Sequence, residues 1–230
     1  LSMILPLSFN EKKEMTPSEF SRNKNALRRL QTLVDVVYGL MILRIFGLLP
    51  QPTQEQLDNR DLIGMFSENL VSLGTVFIGI VLIIIYWGQS IRQFGNLERI
   101  DNKVATLSII QVFSLLIYLY FMKMDNQTDG DEFTLLMESV FMAIAGFIGI
   151  FNWEYCRKND FFDEHLTEEE SYETVYKFYP EPIVASLTIP LAFIGSNYYM
   201  IGWLLLIPVT MIMNRQKKKK IELAKKGSGS

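Results

Sequence analysis

The chain has 230 residues, of which 49% are hydrophobic and 20% are charged, and its formal net charge at pH 7 is −3. Charged residues are absent from long stretches and concentrated in short ones, which excludes a single water-soluble domain. The balanced charge gives no argument for a nucleic-acid partner. One Cys and one His cannot supply a disulfide framework, a zinc site or a Cys–His nucleophile pair. We therefore expect neither an enzyme nor a bound cofactor.

Four stretches are apolar and long enough to cross a hydrocarbon core of about 30 Å as helices. They cover residues 30–49, 69–91, 104–122 and 133–153. The second has Tyr86-Trp87 near its end, a pair typical of a membrane interface. The third contains no charged residue, and the fourth contains only Glu138. Each of the four is predicted to be a membrane-spanning helix.

A fifth apolar stretch, residues 182–214, contains no charged residue and is too long for a single span. Turn residues at Gly195-Ser196-Asn197 predict a helical hairpin, whose two arms are expected to bend at Pro190 and Pro208. The sequence therefore predicts an all-α integral membrane protein with six transmembrane helices in residues 30–214.

The charges of the connecting segments predict the orientation of the chain, because cytoplasmic segments carry an excess of Lys and Arg. Basic residues cluster before the first helix (Arg22, Lys24, Arg28, Arg29), after the second (Arg92, Arg99, Lys103), after the fourth (Arg157, Lys158) and after the sixth (Arg215, Lys217, Lys218, Lys219, Lys220, Lys225, Lys226). The alternate loops contain Arg60 among Glu55, Asp58 and Asp61, and Lys123 beside Asp125, Asp129, Asp131 and Glu132. We therefore expect a cytoplasmic N-terminal segment (1–29), a cytoplasmic connector (about 157–179) and a basic cytoplasmic tail (215–230). The tail ends in Gly and Ser residues typical of an engineered linker.

Two charged regions outside the spans have simple interpretations. The basic tail suits binding to anionic lipids, although its simpler role is to determine the topology. The acidic residues Glu164, Glu168, Glu169 and Glu170, together with His165, suit a cation or a pH sensor. We favour the solvated face of a connector helix for them.

The segment Thr75-Val76-Phe77-Ile78-Gly79 is superficially similar to the Thr-Val-Gly-Tyr-Gly filter of potassium channels. Such a filter needs an extended backbone whose carbonyl groups face the ion. Here the segment lies inside an uninterrupted apolar stretch, where lipid demands a closed helical ladder of hydrogen bonds. We therefore predict a helix at this segment and no P-loop elsewhere.

The first predicted helix is unusual because it buries charge. An ionisable side chain inside a membrane helix costs at least ~2.5 kcal/mol on insertion scales, so it is expected to face a partner or water. Asp35 and Arg44 lie half a turn out of register and cannot pair on their own helix. We predict that Asp35 clamps this helix to a neighbour, with Arg29 or an Asn or Trp as its partner, in preference to a direct role in transport.

The segment Arg29-Leu30-Gln31-Thr32-Leu33-Val34-Asp35 resembles the first-helix signature of the lysosomal potassium-channel family, in which an Arg is followed after three residues by Phe-Ser-Asp. Arg29 and Asp35 match that signature in identity and spacing. Leu33 and Val34 replace its Phe and Ser. A second group of residues resembles the family's segment after the second helix: Tyr86, Trp87, Arg92, Phe94, Arg99 and Asp101.

The resemblance implies a bacterial-type member with a single repeat, which forms a homotetramer in the inner membrane with helix one of each subunit lining a central pore. It also implies conduction of potassium or other monovalent ions through apolar rings at Leu40, Leu43 and Gly47. These positions lie within a stripe about 60° wide on a helix. Four leucines meeting on an axis would gate ions by the cost of removing their water.

Two departures from the family leave the permeant ion open. Leu43 stands where many bacterial relatives have a Thr, and Gly47 provides no apolar ring. Arg44 lies only about 40° from the direction of Leu40 on a helix. Four such cations would repel potassium unless Glu55, Asp58 or Glu68 neutralises them. The alternatives are a pore of the same build that is closed or anion-permeable, and a non-conducting membrane scaffold.

Overall fold

The computed structural model describes residues 16–59, 62–128 and 130–227. Its regular elements in these ranges are helices: α1 (Pro17–Phe46), α2 (Gln54–Asp58), α3 (Leu62–Glu68), α4 (Leu70–Gly95), α5 (Asn102–Thr128), α6 (Glu132–Lys158), α7 (Glu168–Tyr176), α8 (Pro180–Ala192), α9 (Ser196–Gly202), a 3₁₀ helix (Trp203–Leu205) and α10 (Leu206–Gly227). Three residues that contributed to the predicted loop charges, Arg60, Asp61 and Asp129, lie outside the described residues, as do the last three of the Gly and Ser residues.

Within the residues that the structure describes, four helical segments are long and apolar enough to cross a membrane: Ser72–Gly95, Asn102–Thr128, Glu132–Lys158 and Ser196–Lys218. The first three correspond to the predicted second, third and fourth spans, and the last corresponds to the second arm of the predicted hairpin. α1 does not belong to this set, and α8 has only 13 residues. The all-helical membrane fold is therefore confirmed, whereas the total of six spans stays a prediction.

α1 begins earlier than the predicted span 30–49 because residue 16 caps it. The Thr16 side chain accepts a hydrogen bond from the Glu19 N–H, and the Glu19 carboxylate accepts one from the Thr16 N–H. Pro17 occupies the first turn, where it needs no N–H partner. At the other end, the Gly47 N–H donates to the Arg44 carbonyl at 3.0 Å. Residues 17–29 of the predicted N-terminal segment are thus continuous with the helix that follows them.

The hairpin turn lies slightly earlier than expected, at residues 193–195. Gly195 has a φ of 137°, a conformation that a residue with a side chain rarely adopts. Ser196 and Asn197, which we assigned to the turn, form the first turn of α9 instead. Pro190 lies inside α8, and Pro208 lies in the first turn of α10, directly after the 3₁₀ helix that interrupts this arm.

The bundle has two ends, which we call the terminal end and the hairpin end. At the terminal end the Asn23 side chain forms two hydrogen bonds of 2.8 Å with the Ile100 backbone, joining the start of α1 to the α4–α5 connection. At the hairpin end Ser72 Oγ donates to Asn126 Oδ1 at 3.0 Å, joining the start of α4 to the end of α5. Gly130 lies against Ser196 there.

The most extensive contacts are those of α5 with α6 and of α6 with α8. Small residues permit this close approach. A Cβ at Gly149 would lie 2.5 Å from Gln111 Nε2, and one at Gly146 would lie 2.6 Å from Pro182 Cβ. α1 packs on α4 and α5 at the side of this core. Residues Thr75 to Gly79 are helical within α4, as predicted.

Candidate functional site

α1 turns one face toward its own subunit and the other away from it. The buried face repeats every three or four residues and consists of Leu27, Leu30, Val34, Tyr38, Met41 and Ile45. The opposite face is exposed, and its apolar members are Leu33, Val36, Leu40, Leu43 and Phe46. A long apolar face that the subunit leaves uncovered requires either lipid or another protein surface.

The three predicted constriction residues lie on this exposed face. Leu40 is 58% exposed and Leu43 is 69% exposed. Gly47 is also exposed and caps the helix. Neither leucine is buried inside the single subunit.

Asp35 lies between the two faces and is half-buried. Its Oδ1 accepts a hydrogen bond of 3.0 Å from Trp87 Nε1, which joins the middle of α1 to α4. Trp is one of the partner types that the sequence suggested, although sequence reasoning did not single out this residue. Arg29 lies exposed about 120° away around the helix. The structure therefore does not bring Arg29 and Asp35 together.

Arg44 is exposed in the last turn of α1, on the side of the helix that carries Leu40. A cation is favourable at this position because the end of a helix carries partial negative charge. Two of the three acidic residues proposed to neutralise Arg44 have other contacts: Gln54 donates to Asp58, and Gln56 donates to Glu68. Within the part of the chain that the structure describes, Arg44 forms no ion pair with them.

The second group of family-like residues holds the terminal end together. Arg99 Nη2 donates to the Asp160 carbonyl at 3.0 Å. Tyr155 Oη donates to Asp101 Oδ2 at 2.7 Å. Both bonds tie the α4–α5 connection to the end of α6, so the contacts observed for these residues are structural.

The acidic connector has no visible ligand site. Among residues 16–59, 62–128 and 130–227, no three His, Cys, Asp or Glu side chains are placed to hold a metal ion directly. Thr167 caps the start of α7 and donates to the Glu170 carboxylate through both its N–H and its hydroxyl. These hydrogen bonds hold the pKa of Glu170 below its usual value. His165 is fully exposed beside Asp163. These contacts fit the helix start that we favoured from the sequence.

Comparison with known proteins adds to this geometry. No protein-family model and no curated protein matches the sequence. The crystal structure of a lysosomal potassium-selective channel TMEM175 homolog from Chamaesiphon minutus aligns with a TM-score of 0.65 and 10% identity, over 84% of this chain and 98% of that one. A variant of the potassium channel MtTMEM175, solved with a nanobody fusion protein, aligns with a TM-score of 0.57 and 16% identity, over 94% and 100%. The chain has the TMEM175 fold.

This likeness is one of fold, because the sequence identities are low. The shared fold confirms, as a likeness of fold, the family resemblance that Arg29 and Asp35 indicated. The TMEM175 fold and the long apolar helices also show that the chain is an integral membrane protein. The solved structures that it matches are ion channels rather than enzymes.

Proposed function

We propose that the protein is a potassium channel that forms a homotetramer in the bacterial inner membrane, with α1 of each subunit lining the pore. Two potassium channels share its fold over nearly their whole length. The observation that carries the proposal is the exposed apolar face of α1, opposite the face that packs on α4 and α5. Leu40 and Leu43 would form the constriction, where a potassium ion passes only at the cost of losing water.

The charges on the same face favour a pore wall over a surface in contact with lipid. Arg22 and Arg29 are exposed before the apolar part, in line with Leu40 and Leu43 around the helix. Arg44 is exposed beyond it. Charged side chains need water or a partner at membrane depth. One mouth of a pore would supply water to Arg22 and Arg29, and the other mouth would supply it to Arg44. The loop charges further support cytoplasmic termini.

Flux through liposomes tests the proposal. Protein reconstituted in liposomes with an outward potassium gradient should release potassium, and Leu40→Ala should increase that release because a smaller side chain widens the constriction. Leu204→Ala is the matched control, since Leu204 is 64% exposed on the last arm of the bundle and does not belong to α1. Absence of flux in both the original protein and Leu40→Ala would refute the channel.

Arg44 supports a second candidate, a pore of the same build that is closed or passes anions. Its side chain is exposed on the side of α1 that carries Leu40, and Asp58 and Glu68 accept hydrogen bonds from glutamines. Reversal potentials in potassium chloride gradients separate the two candidates. If Arg44 controls permeation, Arg44→Gln should shift the reversal potential toward that of potassium. An unchanged reversal potential would remove Arg44 from the pore.

A non-conducting scaffold is the third candidate, and it depends on the basic tail. Lys217 of α10 donates to Glu173 Oε1 at 2.9 Å, so the first part of the tail is held against α7. A scaffold would bind anionic liposomes through residues 215–226 and carry no current. Current in bilayers that contain only neutral lipids would exclude it.

A further inference from the structure

A cavity of about 300 Å³, lined by both polar and apolar side chains, lies at the hairpin end of the subunit. It is lined by residues of α3, α4, α5, α6 and α9 and by none of α1, so it is separate from the proposed pore. Three of its lining side chains are acidic, namely Glu68, Asp125 and Glu138, and none of the described residues that line it is basic. The other polar lining groups are hydroxyls and amides, including those of Thr75 and Asn126.

Glu138 is the most buried of the three acidic residues. It lies in the second turn of α6 and is 1% exposed. Its Oε2 accepts a hydrogen bond from Tyr199 Oη at 3.3 Å. Its Oε1 has no hydrogen-bond partner among the described residues. A buried carboxylate oxygen without a partner is unfavourable, so this side of the cavity is suited to a positively charged ligand.

Three neighbouring hydroxyl groups, those of Ser139, Thr188 and Tyr199, have hydrogen-bond partners other than Oε1. Ser139 Oγ donates to Tyr199 Oη at 3.4 Å and lies 2.8 Å from Thr188 Oγ1. Thr188 Oγ1 in turn contacts the Ala185 carbonyl at 2.8 Å. This chain of hydroxyls runs from α8 through α6 to α9 and ends on Glu138 Oε2. It therefore helps to orient the carboxylate, whose Oε1 stays without a partner among the described residues.

We propose that the cavity binds one alkali cation, sodium or potassium, with Glu138 Oε1 as its main protein ligand. A second buried carboxylate, that of Asp125, adds negative charge to the same cavity. Because no three acidic side chains in the described ranges are placed for direct metal coordination, the cavity does not suit a divalent ion that needs several carboxylates. It does suit an alkali cation that keeps part of its water shell, since the volume accommodates water and the walls offer hydroxyl and amide oxygens.

The position of this site predicts a structural role for the cation. The cavity lies where the start of α4, the end of α5, α6 and the hairpin meet. A cation bound only by the folded subunit stabilises it by mass action. The folded subunit should therefore be more stable in sodium or potassium salts, whether or not α1 lines a pore.

Thermal unfolding of the purified protein in detergent tests the site. At fixed pH and ionic strength, the unfolding midpoint should be higher in sodium or potassium chloride than in N-methyl-D-glucamine chloride. Glu138→Gln should abolish this difference. Glu132→Gln is the matched control, because Glu132 is exposed on the same helix outside the cavity, and it should keep the difference.

Three outcomes would overturn the proposal. The first is no difference between the salts for the unaltered protein. The second is a difference that persists in Glu138→Gln, because the cation would then bind elsewhere, such as in the pore. The third is a midpoint that depends on pH but not on the cation, because a proton would then satisfy Glu138. Should Glu138→Gln fail to fold, crystals of the unaltered protein soaked in thallium(I) should show an anomalous peak in the cavity, and an empty cavity would refute the site.

Discussion

The hydrogen bond between Asp35 and Trp87 is expected to hold α1 in the rotation that presents Leu40 and Leu43 away from the subunit. Trp87→Phe removes the indole N–H that donates to Asp35 Oδ1 and keeps an aromatic ring on α4. A hydrogen bond to a charged group contributes about 1.5–3 kcal/mol. Asp35 is only half-buried and Trp87 is 36% exposed. We therefore expect Trp87→Phe to lower the free energy of unfolding by about 1–2 kcal/mol, at or slightly below the lower end of that range.

A double-mutant cycle measures this interaction separately from other effects of the substitutions. The free energy of unfolding would be measured in mixed detergent micelles for Asp35→Asn, for Trp87→Phe and for the double variant. Because the two side chains are in contact, we expect a coupling energy of about 1 kcal/mol between them. Potassium flux in liposomes should also change in Trp87→Phe, since the rotation of α1 sets the position of the two leucines.

A second tryptophan provides the control. Trp153 Nε1 donates to Ser171 Oγ at 3.2 Å, and Trp153 belongs to a hydrophobic cluster separate from the one that contains the buried face of α1. Trp153→Phe therefore removes the same chemical group from a different contact, and its effect should add to that of Asp35→Asn. If the changes in the free energy of unfolding caused by Asp35→Asn and Trp87→Phe also add without a coupling energy, the clamp is refuted.

Two further predictions concern packing and pH. Gly146→Ala should lower the free energy of unfolding by about 1–3 kcal/mol, because its Cβ would lie 2.6 Å from Pro182 Cβ. Gly88→Ala should raise the free energy of unfolding by up to about 1 kcal/mol, because a Cβ at Gly88 would meet nothing within 4 Å. If equilibrium unfolding gives the same change for Gly146→Ala and Gly88→Ala, the packing described here is contradicted. The Lys217 ammonium lowers the pKa of Glu173, so their contact stabilises the fold above the ordinary glutamate pKa of about 4.3 and is lost as the pH falls through the lowered value. The thermal midpoint of Glu173→Gln should therefore lie below that of the original protein at neutral pH and equal it in acid, whereas a constant gap would contradict the contact.

The sequence alone was sufficient for the class of fold. The apolar stretches 104–122 and 133–153 predicted α5 and α6 because a membrane offers no partners to backbone N–H and C=O groups. A stretch of that length with at most one charge then has one stable conformation, the helix. The same reasoning correctly rejected a filter at Thr75 to Gly79, which is helical within α4.

Helix ends and the connections were less predictable, because short polar contacts decide them. A capping box at Thr16 starts α1 before the apolar stretch begins. The short helices α2 and α3 between α1 and α4 have no long apolar pattern, and the sequence analysis did not assign them. The hairpin turn ends at Gly195, where the backbone adopts a positive φ, while the two polar residues after it enter a helix.

Only the tertiary structure decided which polar groups meet inside the bundle. Asp35 required a partner on energetic grounds, but the packing of α1 against α4 determined that the partner is Trp87. Glu138 was visible in the sequence merely as one charge in an apolar helix, whereas its partner Tyr199 follows it by 61 residues and belongs to another helix. A long apolar stretch in lipid must form a helix, so the local sequence pattern alone predicts the helices. Contacts between helices depend on how rigid helices pack, which no local pattern contains.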